Sequence, residues 1–317
     1  MEKKERIFLT QIISLVILVV LILVILSTPS LFEFTWNEML RDLIPGAEYF
    51  FRIVTELGGT YVYFAIFFIV FWGINKNGAK SLFIIYISSN FVNWYAKSII
   101  ANERPPQSEW ILIGASHLST PSGHAMSSSV FWGFSAMQIK KWLMWIISVI
   151  IIILVGLSRI YLGVHWLGDI LTGWLFGTII LILIWIFDEP LRSRLTRYKP
   201  FIIYLGMAIF GFIVMILTEI FFSQTSNFGT PGGQMIGLGI GLALENKYVD
   251  FKTNHESGEK WRVALRVLIG LIIILIIFLG LDAIIPSEIF WLVAIEYIVL
   301  FIVGIFLWPL IFKKIGL

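Results

Sequence analysis

Three short stretches of the chain combine cationic side chains, histidines and one aspartate within an otherwise apolar sequence. They are Lys97 with Arg104-Pro105, Pro121-Ser122-Gly123-His124, and Ser158-Arg159 with His165 and Asp169. Ionisable side chains are costly beside hydrocarbon, so a group of them in a membrane-like chain indicates a functional site. Arginine binds phosphate oxygens with a planar fork, lysine supplies a point charge, and histidine can attack phosphorus. The stretches therefore predict a site that holds a phosphate and attacks it with a histidine.

The cations of these stretches are the predicted phosphate ligands. Lys97 precedes Arg104 by seven residues, about two helical turns, so both can face one pocket from the end of a helix that Pro105 terminates. Arg159 adds a second guanidinium from another helix. The alternative for each cation alone is a side chain that snorkels to the membrane interface. Three cations beside histidines favour phosphate binding.

The segment Pro121-Ser122-Gly123-His124 has the pattern of a turn that enters a helix. Ser122 can cap that helix, and the free N–H groups near Gly123 can bind an anion with the help of the helix dipole. His124 then faces the same anion. A plain helix cap is the alternative, since a Ser-Gly-His tripeptide alone is not specific.

His165 and Asp169 are four residues apart, so on a helix they share a face. An aspartate that accepts from one ring nitrogen fixes the tautomer and leaves the other nitrogen free to attack. The alternative is a metal site, but the nearby cations already supply positive charge and further ligands are missing, so no metal is predicted. Of the other histidines, His117 is expected near the mouth of the pocket and His255 in a solvated loop.

The composition indicates what kind of scaffold must position these residues. Of the 317 residues, 58% are hydrophobic and 14% are charged, and the mean hydropathy is +0.91. A soluble domain carries about a quarter charged residues, so the chain is predicted to be an all-α, polytopic membrane protein. The small net charge of +3 indicates no nucleic-acid partner, and the lack of cysteine excludes disulfides and thiolate metal sites.

Ten apolar segments are long enough, or nearly long enough, to cross a membrane as helices. They are residues 7–26, 60–74, 81–100, 125–139, 142–161, 167–187, 201–222, 234–244, 263–281 and 289–312. The first is longer than the apolar region of a typical signal peptide, so an uncleaved anchor is predicted. Lysine and arginine cluster in every second connection, which predicts cytoplasmic termini and places the three stretches on the opposite side.

Two other segments have distinctive patterns. Residues 31–51 mix aromatic, aliphatic and charged side chains, which predicts an amphipathic helix in the membrane interface, with a packed loop as the alternative. Residues 232–241 are rich in glycine, which favours close packing between helices. A lining for the substrate is the alternative interpretation of the glycines.

Taken together, the three stretches resemble the type 2 phosphatidic acid phosphatase superfamily, the lipid phosphate phosphatases related to vanadium haloperoxidases. The family pattern Lys-x6-Arg-Pro, Pro-Ser-Gly-His and Ser-Arg-x5-His-x3-Asp is complete in order and spacing. The resemblance covers about residues 55–187. It implies a six-helix phosphatase-like core within residues 1–187, with the motifs at 97–169. The apolar segments predict additional transmembrane helices at 188–317, and the resemblance gives them no role.

The resemblance also implies a role for each matching residue. His165 is the expected nucleophile, which forms a phosphohistidine that water then hydrolyses, and Asp169 orients it. His124 is the expected general acid for the leaving group. The expected ligands of the phosphoryl oxygens are Lys97, Arg104, Ser122, Gly123 and Arg159. No metal or other cofactor is implied.

The predicted function is dephosphorylation of a lipid mono- or diphosphate by an integral protein of a prokaryotic cell membrane, with the site facing outwards. A polyprenyl diphosphate is the favoured substrate, and phosphatidylglycerol phosphate, phosphatidate and a sphingoid phosphate also fit. A lipid phosphotransferase and a transporter that binds lipid phosphates without cleavage are the alternatives. A haloperoxidase is disfavoured because the related haloperoxidases are soluble. The expected partners are the lipid substrate and membrane lipids.

Overall fold

The computed structural model describes residues 3–112, 118–221, 226–253 and 259–317. The helices, in chain order, are α1 Lys3–Leu26, α2 Thr35–Leu43, α3 Glu48–Glu56, α4 Thr60–Gly73, α5 Lys76–Ile100, α6 Gly123–Ile139, α7 Trp142–Tyr161, α8 Leu167–Leu195, α9 Pro200–Phe221, α10 Ser226–Tyr248, α11 Lys260–Asp282, α12 Phe290–Ile302 and, after a π-helical turn at Val303–Leu307, α13 Trp308–Lys314. The predicted all-α membrane fold is confirmed.

Each of the ten predicted spans falls on a helix. Within the described residues, six stretches of helix are long and apolar enough to cross a membrane, or seven if the bent pair α3 and α4 forms one span. The six are α1, α7, α8, α9, α11, and α12 continued by α13. Two of the others are short, with 14 residues in α4 and 17 in α6, while α5 and α10 carry more polar side chains. The predicted number of ten spans is therefore not confirmed.

The chain divides into two compact units. Unit 1 contains residues 1–63 and 92–191, and unit 2 contains residues 64–91 and 192–317. Every predicted site residue belongs to unit 1. The predicted division of roles after residue 187 stays a prediction.

In unit 1, α8 approaches the beginning of α6 closely. A Cβ atom on Gly173 of α8 would lie 2.9 Å from the Ala125 Cβ and 2.9 Å from the Ser122 carbonyl oxygen. The absence of a side chain at Gly173 therefore allows this approach. The Ser122 N–H donates to the Asp169 carbonyl oxygen at 3.0 Å. The glycine thus brings the second and third motifs together.

The segment predicted as one amphipathic helix over residues 31–51 forms two short helices instead. α2 and α3 have nine residues each, and Pro45-Gly46 lies between them. Proline lacks the N–H that a continuing helix needs, and Gly46 has a φ of +74°, which favours glycine. The proline and glycine account for the break, which turns one predicted helix into two short helices.

Unit 2 has an aromatic core. Phe67 and Phe68 of α4 contact Phe301 of α12, and Trp72 Nε1 donates to the Gly304 carbonyl oxygen at 2.9 Å. These rings are fully or almost fully buried. Such large aromatic side chains contribute much of the packing energy of a core.

The glycine-rich helix of unit 2 packs closely on α12 and on the π-helical turn after it, which fits the predicted close packing between helices. A Cβ atom on Gly237 of α10 would lie 2.8 Å from the Phe301 Cβ, and one on Gly241 would lie 3.0 Å from the Ile305 Cβ. Small residues of this kind let membrane helices approach each other along their backbones. Close packing is therefore confirmed as a role of these glycines.

Candidate active site

His165 and Asp169 form a buried pair at the beginning of α8. His165 Nδ1 lies 3.0 Å from Asp169 Oδ2, and the Trp166 N–H donates to the same oxygen at 2.8 Å. His165 precedes Leu167, the first residue of α8, so the prediction that the pair shares a helix face is wrong. The turn before the helix keeps the two side chains in contact. A proton on Nδ1 leaves the Nε2 lone pair free for attack.

Two hydroxyl groups that the sequence analysis missed hold the carboxylate. Ser119 Oγ donates to Asp169 Oδ2, and Thr120 Oγ1 donates to Oδ1. Asn102 Nδ2 donates to Thr120 Oγ1 at 2.9 Å, and the Ser119 N–H donates to the Asn102 carbonyl oxygen at 2.8 Å. Because both carboxylate oxygens accept hydrogen bonds, the orientation of Asp169 towards the imidazole is fixed.

Arg104 contacts the other edge of the imidazole. Its Nη1 lies 3.0 Å from His165 Nε2 and donates to the Val164 carbonyl oxygen at 2.6 Å. A guanidinium can only donate, so Nε2 is the acceptor and the ring proton is on Nδ1. The tautomer that suits an attacking Nε2 is therefore the one that both neighbours favour.

The prediction that Lys97 and Arg104 lie on one helix is wrong. α5 ends at Ile100, because Ala101 adopts a left-handed conformation with a φ of 52° and its N–H donates to the Lys97 carbonyl oxygen at 2.8 Å. Arg104 therefore belongs to the segment that follows the helix. That segment pairs with the second motif region through an isolated bridge between Glu103 and Leu118.

The surroundings of His165 favour the neutral imidazole. Burial lowers the pKa of His165 below its ordinary value of 6.5, and neighbouring cations, Arg104 first among them, lower it further. Burial also lowers the pKa of Arg104, to about 10, so this guanidinium stays charged at neutral pH. An unprotonated nitrogen beside a charged donor is the state that a nucleophile for an anion requires.

Lys97 and Arg159 are buried cations of the site. Lys97 Nζ donates to the carbonyl oxygens of Leu118 and Ser119, at 3.0 and 2.6 Å. Arg159 Nη1 donates to Thr55 Oγ1 at 2.8 Å. Among the described residues, no acceptor meets the buried Nε of Arg159. That unpaired N–H is available to an anionic oxygen of a ligand.

The second motif begins α6 as predicted. Ser122 is the N-cap, and its Oγ accepts from the Ala125 N–H at 3.5 Å. Gly123 and His124 are the first residues of the helix, and the peptide bond between Thr120 and Pro121 is cis. The half-buried His124 ring therefore projects from the first turn of a helix, where the dipole favours an anion.

The described residues contain no group of three or more His, Cys, Asp and Glu side chains that could hold a metal ion. Lys97, Arg104 and Arg159 place three cations in the site instead. His117 and His255 lie outside the described residues, so their predicted surroundings stay predictions.

The residues that sequence reasoning missed are polar partners of the motifs. Ser119 and Thr120 directly precede the second motif, and this adjacency is a signal that could have found them. Asn37 donates to the His165 carbonyl oxygen at 3.1 Å, and Thr55 accepts from Arg159. Asn37 and Thr55 are more than a hundred residues from these partners, and no local pattern marks them.

Comparisons with known families agree with the motif pattern. A model described as the PAP2 superfamily matches residues 78–193, which include all the predicted site residues. A second model, described as the transmembrane extension of PAP2 superfamily phosphatases, matches residues 229–317. The two matches cover the site-bearing region and most of α10 to α13.

Three characterised proteins are similar to parts of the chain. Mouse sphingosine-1-phosphate phosphatase 1 is 28% identical over 207 residues, which cover 62% of this chain and 47% of that protein. Phosphatidylglycerophosphatase B of Bacillus subtilis is 31% identical over 120 residues, covering 35% of this chain and 58% of that protein. Undecaprenyl-diphosphatase of Sulfolobus acidocaldarius is 45% identical over 60 residues, covering 19% and 29%. The aligned part thus spans about half the length of the mouse relative.

Proposed function

The chain belongs to the PAP2 superfamily, and on that premise we propose that it is an integral membrane phosphatase that removes phosphate from a lipid. The observation that carries this proposal is the setting of His165. Its Nδ1 lies 3.0 Å from Asp169, while its Nε2 lies 3.0 Å from Arg104. An imidazole that is oriented on one edge and faces a cation on the other suits attack on a phosphoryl group.

Binding of the phosphate is the first step of the proposed mechanism. Phosphoryl oxygens replace the present contact between Arg104 and His165, and they take up the unpaired Nε donor of Arg159. Lys97 adds positive charge, and Ser122 and Gly123 add N–H groups at the beginning of α6. Phosphoryl transfer depends chiefly on such positioning and charge stabilisation, which are strong in a buried site.

The chemistry then proceeds in two displacements. His165 Nε2 forms a bond to phosphorus as the bond from phosphorus to the lipid-side oxygen breaks, and His124 donates a proton to that leaving oxygen. Asp169 stabilises the imidazolium that forms. Water then attacks the phosphohistidine, gives its proton to His124 and releases inorganic phosphate. Cationic side chains supply the positive charge throughout.

For the lipid, we propose a polyprenyl diphosphate, the substrate favoured by the sequence. Of the three relatives, the one with the highest local identity is an undecaprenyl-diphosphatase. The other two are named for a sphingoid phosphate and for a phosphatidylglycerol phosphate. A substrate panel therefore has to contain all three lipid classes.

The orientation in the membrane is part of the proposal. The alternation of basic and non-basic connections supports cytoplasmic termini and a site on the extracytoplasmic side of a prokaryotic membrane. Residues 1–187 carry the proposed chemistry. Residues 188–317 include the matched transmembrane extension and receive no chemical role in this mechanism.

The test is phosphate release by the purified protein in detergent with EDTA. The panel consists of farnesyl diphosphate, dioleoyl phosphatidate, phosphatidylglycerol phosphate and sphingosine 1-phosphate. We expect release that resists EDTA, is fastest from the diphosphate and is absent in His165→Ala. A radiolabelled phosphoryl group that is labile in acid should be trapped on the wild-type protein and not on the variant.

Other results would support other functions. Release that EDTA abolishes contradicts the metal-independent mechanism. Phosphate that moves to an added acceptor lipid instead of water indicates a phosphotransferase. Lipid movement across vesicles that persists in His165→Ala, without any release, indicates a transporter.

A further inference from the structure

We infer that α2 and α3 lie on the lipid surface and hold the backbone of the nucleophile, so that turnover of a lipid within a bilayer depends on their contact with that bilayer. Asn37 is the positioning residue in this arrangement. The inference rests on the proposed phosphatase function, and it adds a partner surface and a residue that the motifs do not contain.

Asn37 connects α2 to the backbone of His165. Its side chain is fully buried, and Nδ2 donates to the carbonyl oxygens of Ile160 and His165, at 2.6 and 3.1 Å. These carbonyls belong to the end of α7 and to the turn that carries the nucleophile. One amide group thus contacts both ends of the turn and fixes the position of the His165 backbone relative to α7.

Three more hydrogen bonds fasten α2 and α3 to the same region. Arg41 on α2 donates from Nε to the Tyr161 carbonyl oxygen at 3.0 Å, and from Nη2 to the Glu109 carbonyl oxygen at 2.8 Å. Thr55 on α3 accepts from Arg159 at 2.8 Å. A movement of α2 and α3 would therefore displace both the nucleophile and a phosphate ligand.

α2, α3 and their flanks also carry large apolar side chains that are exposed. Leu43 is 74% exposed and Tyr49 is 77% exposed, and Phe50 and Ile53 are also exposed. Water alone would not favour this grouping of large apolar side chains on two nine-residue helices. A second surface must cover them.

The headgroup layer of the membrane is the surface that fits. α2 follows α1 after a short connection, and α1 itself presents exposed aliphatic side chains along a candidate membrane span, so the chain enters α2 directly from a lipid-facing helix. Charged side chains are interleaved with the apolar ones, namely Glu38, Asp42, Glu48 and Arg52, and all four are exposed. Mixed apolar, aromatic and charged surfaces of this kind are typical of helices that lie in the interface.

The first test replaces Asn37 by aspartate, which keeps the shape and removes both N–H donors. We expect Asn37→Asp to lower kcat about 10- to 100-fold with little change in KM, since a small displacement of a nucleophile costs rate and spares binding. The buried carboxylate would face two carbonyl oxygens, so the melting temperature should fall, and kcat is measured on the folded protein below that temperature. If Asn37→Asp cannot be recovered folded, Arg41→Gln, which removes the second fastening, tests the same coupling.

The second test separates the lipid surface from the chemistry. The double variant Leu43→Ser/Tyr49→Ser is assayed on undecaprenyl diphosphate in phosphatidylcholine vesicles and on farnesyl diphosphate in detergent solution. We expect about a tenfold loss on vesicles and no loss on the soluble substrate. Only the substrate in vesicles requires α2 and α3 to contact the bilayer. Ile284→Ser is the matched control, since Ile284 is 79% exposed in the connection between α11 and α12.

The outcomes separate this inference from the proposed function. A wild-type protein that releases no phosphate from either diphosphate overturns the proposed function. An active wild type with a fully active Asn37→Asp overturns the positioning role. Equal losses on both substrates in the double variant, or a change in its oligomeric state, overturn the proposal that α2 and α3 contact the lipid surface.

Discussion

Buried charge is arranged differently in the two units. In unit 1, buried ionisable side chains converge on one imidazole, with Asp169 on one edge of His165 and Arg104 on the other. In unit 2, the buried ionisable side chains Glu245 and Arg266 each fasten a chain segment. Glu245 Oε1 accepts from Lys76 Nζ at 2.5 Å and from the Phe251 N–H at 3.1 Å, which ties α5 to the segment after α10.

Arg266 shows the same pattern as Glu245. It donates to the carbonyl oxygens of Lys252 and Thr253 and stacks over Phe312. The difference between the units shows that burial of charge does not by itself identify a catalytic site. What distinguishes unit 1 is that the charges meet at His165, a group that can form a bond to phosphorus.

The largest expected effect comes from removing the group at which the charges converge. We expect His165→Ala to lower phosphate release by ~10³-fold or more, because no other side chain takes over the attack. Glu245→Gln in unit 2 is the matched removal of a buried charge, and it should retain turnover. Equal inactivation of both variants, each with an unchanged melting temperature, would break the comparison.

A smaller effect is expected from the hydroxyl groups that hold Asp169. Ser119→Ala removes a donor to Oδ2 and should lower kcat about tenfold, since a hydrogen bond to a carboxylate contributes roughly 1.5–3 kcal/mol. KM should change little, because Ser119 is assigned to orientation. Steady-state kinetics on farnesyl diphosphate measures both constants, and Ser135→Ala, a hydroxyl elsewhere in unit 1, serves as the control.

A third effect concerns pH. Burial, and after it the charge of Arg104, holds the pKa of His165 below 6.5. The acid limb of the pH profile of kcat/KM reports the free enzyme, so it should lie at a lower pH than an ordinary histidine would give. Arg104→Gln removes a like charge from the imidazole and should raise that pKa. The acid limb should therefore move to higher pH on the same substrate. An unmoved limb would show that Arg104 does not act on the imidazole electrostatically.

The smallest effect on activity is expected in unit 2, together with a clear effect on stability. Lys76→Met leaves the fully buried Glu245 without its cation, which should destabilise the fold by roughly 3 kcal/mol. The melting temperature in detergent should fall, while kcat at a permissive temperature stays near the wild-type value. A large loss of kcat in the folded variant would assign unit 2 a part in the chemistry.

The positions of the helices could be predicted from the sequence, because long apolar segments determine where helices form in a membrane protein. The ends of the helices were harder to predict. Ala101 ends α5 through a left-handed conformation, although alanine favours helix. Pro45-Gly46 was visible as a break, yet the mixed pattern around it suggested one continuous interfacial helix.

The sequence could predict that the motif residues lie together, because phosphate binding and attack on phosphorus need these residue types in one site. Their supports could not, since the supporting contacts join distant parts of the chain. Asn37 lies 128 residues from the carbonyl of His165, and Thr55 lies 104 residues from Arg159. Asparagine and threonine in a loop or short helix are common, and only the folded chain shows which carbonyl or guanidinium they meet.

The close approach at Gly173 affects how a mutational scan of this chain would have to be interpreted. Any side chain at position 173 would push α8 away from Ala125 and from the Ser122 carbonyl, and so would separate the capping turn from the nucleophile pair. Gly173 would therefore rank among the least tolerant positions in a screen scored by activity. The loss of activity on substitution would reflect the spacing of the helices. A residue that touches no substrate would therefore look catalytic unless protein abundance were also measured.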